Sequence, residues 1–135
     1  MSNFKEKADY RDVQLGEVSP NLYGTIAYRV ADELDYGKNG KFNASTQLRR
    51  FYDEMVMWND RVQFAQEPDQ KFKEVAPFVQ MIRAKVAYAY GRKLIDENFK
   101  TLMNRLLDQV ISAKTLGQAK LFFEAVMGFK KGLEK

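Results

Sequence analysis

The stretch Ser45-Thr46-Gln47-Leu48-Arg49-Arg50-Phe51-Tyr52-Asp53-Glu54-Met55-Val56-Met57-Trp58-Asn59-Asp60-Arg61-Val62 decides the fold. Leu48, Phe51, Tyr52, Met55, Trp58 and Val62 return at steps of three and four, which draws one apolar stripe along a helix. Ser45 is placed to cap its start, and Pro68 ends it or opens its successor. The same period continues on both sides. Upstream, Ser19-Pro20 signals a helix start, and Leu22, Tyr23, Ile26, Ala27, Val30 and Leu34 follow at helical spacing until Gly37, Asn39 and Gly40 break it. Downstream, a third helix runs over about 69–92 with Val75, Val79, Ile82, Val86 and Tyr90 inward. Pro77 predicts a kink or a helix start within it. A fourth covers about 94–112 on Ile95, Phe99, Leu102, Met103, Leu106 and Val110. Thr115 with Gln118 reads as a capping box for a fifth, which carries Leu116, Ala119, Phe122, Phe123, Val126 and Phe129. These spans take in about 100 of the 135 residues, and no run alternates with a period of two. The expectation is an all-α, single-domain bundle of about five helices over 19–135, preceded by an irregular or mobile lead-in at 1–18.

Two zeros exclude much chemistry. Without cysteine there are no disulfides, thiolate zinc sites or cysteine nucleophiles, and without histidine there is no His-based triad, metal site or near-neutral base. Asp32, Glu33 and Asp35 before Gly37-Lys38-Asn39-Gly40-Lys41 fit neither a calcium loop nor a phosphate loop. Gly37 and Thr46 stand where calcium ligands are needed, and Phe42 follows Lys41. The adjacent acids Asp53-Glu54 and Asp96-Glu97 do not face one another on a helix. Arg49 with Asp53 and Arg50 with Glu54, each four apart, account for the first two as surface ion pairs. No nucleophile, base and orienting group come together, so an enzyme is not expected, and no cofactor or metal is implied. The N-terminus has no apolar export core and no stretch has the length and apolarity of a membrane span, which places the chain in the cytoplasm.

Charge is unevenly placed. The formal net charge is +4, yet residues 1–82 sum to −2 and residues 83–135 to +6, with cations interleaved among apolar residues at helical spacing. A basic face follows, suited to an anionic partner. With Lys85 at 0° and 100° per residue, Tyr88 falls near −60° and Arg92 near −20°, beside an apolar face at about 60–140°. Cation, ring and cation on one stripe suit a sugar-phosphate strand. The alternative packs Tyr88 against a neighbouring helix and leaves both cations in solvent. Arg49 and Arg50 point about 100° apart, so one can pair with an acid while the other meets a phosphate through its planar fork. Phe122 and Phe123 cannot share one face, which leaves one of them to reach a neighbouring subunit.

Three blocks carry a resemblance. Gln47-Leu48-Arg49-Arg50-Phe51-Tyr52-Asp53-Glu54 resembles the signature helix of the small subunit of type III-A CRISPR–Cas (Csm) effector complexes. Lys85-Val86-Ala87-Tyr88-Ala89-Tyr90-Gly91-Arg92 is similar to that family's second block, and Phe122-Phe123-Glu124-Ala125-Val126-Met127-Gly128-Phe129-Lys130-Lys131 to its C-terminal block. The resemblance spans about residue 20 to the end. It implies a small, non-catalytic, all-helical subunit that self-associates or stacks in several copies beside other effector subunits and contacts the backbones of guide and target RNA in antiviral defence. Cleavage chemistry would belong to neighbouring subunits. The residues it points to are Arg49 and Arg50 in the first block, Lys85, Arg92 and adjoining Lys93 in the second, and Lys41 just before the first. Two rivals stand beside it: a helical protein-interaction subunit with no RNA contact, and a DNA-binding regulator. For the latter the sequence offers no helix–turn–helix, because the 36–44 connector is long and the other breaks precede mostly apolar helices.

Overall fold

The computed structural model describes residues 9–34 and 42–133, and the helical part opens with a π-helical turn, Leu22–Ile26. The Ile26 amide reaches the Asn21 carbonyl at 3.1 Å, five residues back. The turn runs directly into α1 (Ala27–Leu34). Then follow α2 (Ser45–Gln63), α3 (Pro68–Gln80), α4 (Ile82–Gly91), α5 (Glu97–Gln109) and α6 (Ala113–Leu133). The described residues contain no strand, so the architecture is an all-α bundle, as the periodicity predicts. The 35–41 connector, with Gly37, Asn39, Gly40 and Lys41, lies outside the described residues.

The third sequence span is divided in two. α3 passes through Pro77 unbroken and ends one turn later, and Met81 separates it from α4. The two pieces serve different neighbours: α3 packs on α2, whereas α4 packs on α5. The bend at Met81 redirects the chain between those partners. It is tied to α5 by Gln80, whose amide donates to the Leu107 carbonyl at 2.9 Å, and by Arg83, which reaches Asp108 at 2.5 Å.

α6 packs against both α1 and α2. That is why Phe122 and Phe123 are both buried in this chain, and neither is left for a neighbouring subunit. Phe123 meets Tyr52 edge-on at 5.6 Å and Phe99 at 6.0 Å. α2 approaches closely at Gly117, where an added Cβ would lie 3.3 Å from the Gln63 amide nitrogen. The caps differ from expectation. α6 is capped three residues earlier than the Thr115–Gln118 box, by a reciprocal pair. The Thr115 amide donates to Ser112 Oγ at 3.1 Å and the Ser112 amide to Thr115 Oγ1 at 3.0 Å. Ser45 is the first residue of α2, after Ala44 at the cap. Asp96 caps α5, accepting from the Phe99 amide at 2.9 Å.

Residues 9–18 form no helix but are bound to the bundle. Tyr10 and Val13 enter the core. Arg105 donates to the carbonyls of Tyr10, Arg11 and Val13. Gln118 engages both backbone groups of Gly16, accepting from its amide at 2.6 Å and donating to its carbonyl at 3.0 Å. Gly16 has φ +95°, a turn that glycine adopts without a Cβ penalty. Burial, with Glu33 nearby, pushes the Tyr10 phenol far up. The hydrogen bond from Arg29 holds Asp12 below the usual carboxylate range.

Two residues with positive φ hold the base of the helices. Asn43 (φ 59°) is buried. It donates to the Leu34 carbonyl at 3.0 Å, accepts from the Asp96 amide at 3.0 Å, and its own amide reaches the Leu94 carbonyl at 2.9 Å. Lys93 (φ 62°) closes α4: its amide reaches the Tyr90 carbonyl and the Leu94 amide the Ala89 carbonyl, each at 3.0 Å. This paired closure is where glycine is favoured. Replacing Asn43 with alanine strands buried polar groups and lowers unfolding free energy by about 2–4 kcal/mol, read from the urea midpoint. Lys93→Gly relieves the left-handed backbone and raises that midpoint, by about 1 kcal/mol in stability.

Candidate nucleic-acid interface

α2 forms a wall of two grooves. Its buried side carries Leu48, Phe51, Met55 and Val62. With these fixed inward, adjacent residues diverge: Arg50 and Glu54 line a groove against α4, whereas Arg49 and Tyr52 line another against α6. The hundred-degree divergence expected for the two arginines is realised, so they do not serve one site.

The groove between α2 and α4 has a volume of about 600 Å³ and is lined by Arg50, Glu54, Lys85, Tyr88 and Arg92, with Phe51 and Ala89 also contributing. Tyr88 is 65% exposed, so its ring is not packed against a neighbouring helix. The Arg92 guanidinium lies over that ring, 5.7 Å from its centre, and Nη1 donates to the Tyr88 hydroxyl at 3.0 Å. Lys85 Nζ donates to Glu54 Oε1 at 2.7 Å, across from α4 to α2. This corrects the expected Arg50–Glu54 pair: Glu54 is taken by Lys85. Among the described residues neither Arg49 nor Arg50 forms an ion pair.

The other candidate residues lie elsewhere. Arg49 shares the α2–α6 groove with Thr46, Tyr52, Glu124, Met127 and Lys131. There the Lys120 ammonium, hydrogen-bonded at 2.7 Å, holds Glu124 below the usual carboxylate range. Burial, with Glu124 adding to it, raises the Tyr52 phenol. Lys93 borders a third hollow with Phe42, Tyr90 and Glu97, and its backbone role at the end of α4 is structural. Lys41 lies outside the described residues.

The basic excess of residues 83–135 is partly consumed inside the fold. Arg83 is bonded to Asp108 and Asn104, Arg105 to the N-terminal carbonyls, Lys120 to Glu124, and Lys130 is buried. What sequence reasoning missed is tertiary. Glu54 pairs with a lysine 31 positions away, and Lys100 sits 4.3 Å from the Tyr90 ring centre; no local spacing announces either. Among the described residues no helix is long and apolar enough to cross a membrane.

Comparison with known families adds one finding. A family model described as Csm2 Type III-A matches residues 19–135. No curated protein and no solved structure matches the chain. The matched span takes in the π-helical turn, all six described helices and both walls of the α2–α4 groove. The chain therefore belongs to the Csm2 type III-A family, the small subunit of the type III-A Csm effector complex.

Proposed function

We propose that this subunit is a non-catalytic strand-holder. It grips the phosphate backbone of RNA in the α2–α4 groove without reading sequence, and copies of it stack beside the other effector subunits in the cytoplasm. The observation that carries this reading is the meeting of Arg50, Lys85 and Arg92 around the exposed Tyr88 ring. Cations from two helices face one concavity, and phosphates spaced along a strand can engage them in turn. A ring beside them offers a stacking surface that every base can use. Contacts made through phosphates carry no sequence information, so on this reading the groove's affinity is mainly electrostatic and tolerant of sequence. Guide and target strands both present this chemistry. Sequence reading would then fall to base pairing between them.

Arg49, Lys93 and Lys41 are outside this reading of the groove; the first two line other hollows. Contacts with other subunits and with further copies need separate surfaces. Phe78, stacked on Trp58, and Met81, each more than half exposed, are suited to them.

The test is a fluorescence-polarisation titration with unrelated single-stranded RNAs over a range of salt. Binding should be nearly independent of sequence. Replacing Arg50, Lys85 and Arg92 together by alanine should reduce the slope of log affinity against log salt by about 2, at about 0.7 for each phosphate that is no longer neutralised. Arg49→Ala and Lys93→Ala should leave that slope in place. Tyr88→Ala should cost about 1–3 kcal/mol of binding at fixed salt. If the wild-type chain binds no RNA at any salt but co-purifies with its partner subunits, it is a protein-interaction subunit alone.

A further inference from the structure

Lys85 is engaged before any strand reaches it. Its ammonium donates to Glu54 Oε1 at 2.7 Å. Glu54 is itself held: its Oε2 accepts from Trp58 Nε1 at 3.3 Å, one turn along α2. The indole is fixed in turn, stacked on Phe78 with centroids 5.6 Å apart, with the Arg61 guanidinium 5.2 Å from its ring centre. The carboxylate is therefore the anchored partner, its side chain 19% exposed, and the lysine the mobile one, 52% exposed. The groove presents three cations and one fixed anion among its lining charges.

A phosphate and a carboxylate compete for the same ammonium donors. We propose that Glu54 is a built-in competitor for the strand: it occupies Lys85, and RNA binds by taking Lys85 over. The inference rests on the strand-binding reading of the α2–α4 groove and specifies how that groove is tempered. An exposed ion pair is weak, so the exchange is easy. Glu54 cannot leave with the lysine, because Trp58 and its own helix hold it. A phosphate on Lys85 then sits close to a fixed like charge, which weakens the grip. Among the described residues, Arg50 and Arg92 carry no such internal anion. The groove thus combines two standing cations with one that is exchanged, and the contact remains reversible.

Trp58 is the chain's single tryptophan, it touches Glu54, and it does not line the groove. Its fluorescence therefore reports the exchange in the unmodified protein. Titrating a dye-labelled, mixed-sequence single-stranded RNA into wild type should shift Trp58 emission along the same curve as polarisation. Glu54→Gln keeps the size of the side chain and an oxygen for the indole, and removes the charge. It should tighten binding about fivefold at low salt, since one like-charge contact near 4 Å in water is removed. Its Trp58 response should be small. Binding by wild type with a silent Trp58 overturns the proposal. So does unchanged or weaker binding by a folded Glu54→Gln, which would make Glu54 a positioning partner for Lys85. Wild type that binds no RNA fails earlier, at the groove itself, and takes this inference with it.

Discussion

Burial of α6 is the constraint on which the other placements depend. It packs against α1, α2, α3 and α5, so its apolar residues have to serve more than one face. Phe122 and Phe123, about 100° apart on the helix, are both buried within one chain. A helix that is apolar around much of its circumference belongs at the centre of a bundle. With α6 central, α2 is committed to packing through Leu48, Phe51 and Met55, and its remaining surface is rationed by the helical period. Arg50 and Glu54 then look toward α4 and Arg49 toward the far groove, before any contact of their own is considered.

Most of the helices were legible because burial imposes a period that the sequence repeats. The inward residues of α5 and the α2 residues Leu48, Phe51, Met55 and Val62 are buried as spaced. Failures occurred where a local signal competed with a tertiary one. Pro77 announces a kink or a helix start near its own position, and a new helix does begin at Ile82, but packing sets the exact break, at Met81, where contact passes from α2 to α5. Thr115 and Gln118 look like a cap, but Gln118 is used to hold Gly16, 102 positions away. Asn43 carries no pattern at all, and its burial comes from three hydrogen bonds to separate parts of the chain.

The candidate site was legible to a similar depth. The stripe of Lys85, Tyr88 and Arg92 is a property of one helix, so 100° per residue places it correctly, and those residues do line one groove. Arg50 joins them because α2 and α4 are neighbours, which periodicity alone does not fix. Lys93 follows Arg92 in sequence but not in space, since its left-handed backbone turns the chain away at the end of α4. Resemblance to a family treats contiguous cations as a block, while backbone geometry separates them.

The charge balance carries a related lesson about strength. A net charge of +4 is small, and Arg83, Arg105 and Lys120 are engaged within the fold. What remains is local: a few cations on helices, screened by salt over about 8 Å. Such a surface cannot by itself hold a strand with high affinity, because each phosphate contact in water is weak. Repetition changes this. On the proposed reading, when several copies line one strand, each engagement after the first forms at high effective concentration, and modest single-copy affinity becomes firm collective grip. A strong groove on every copy would make that grip irreversible. A carboxylate fixed against one cation in each copy fits a device whose strength is meant to come from number.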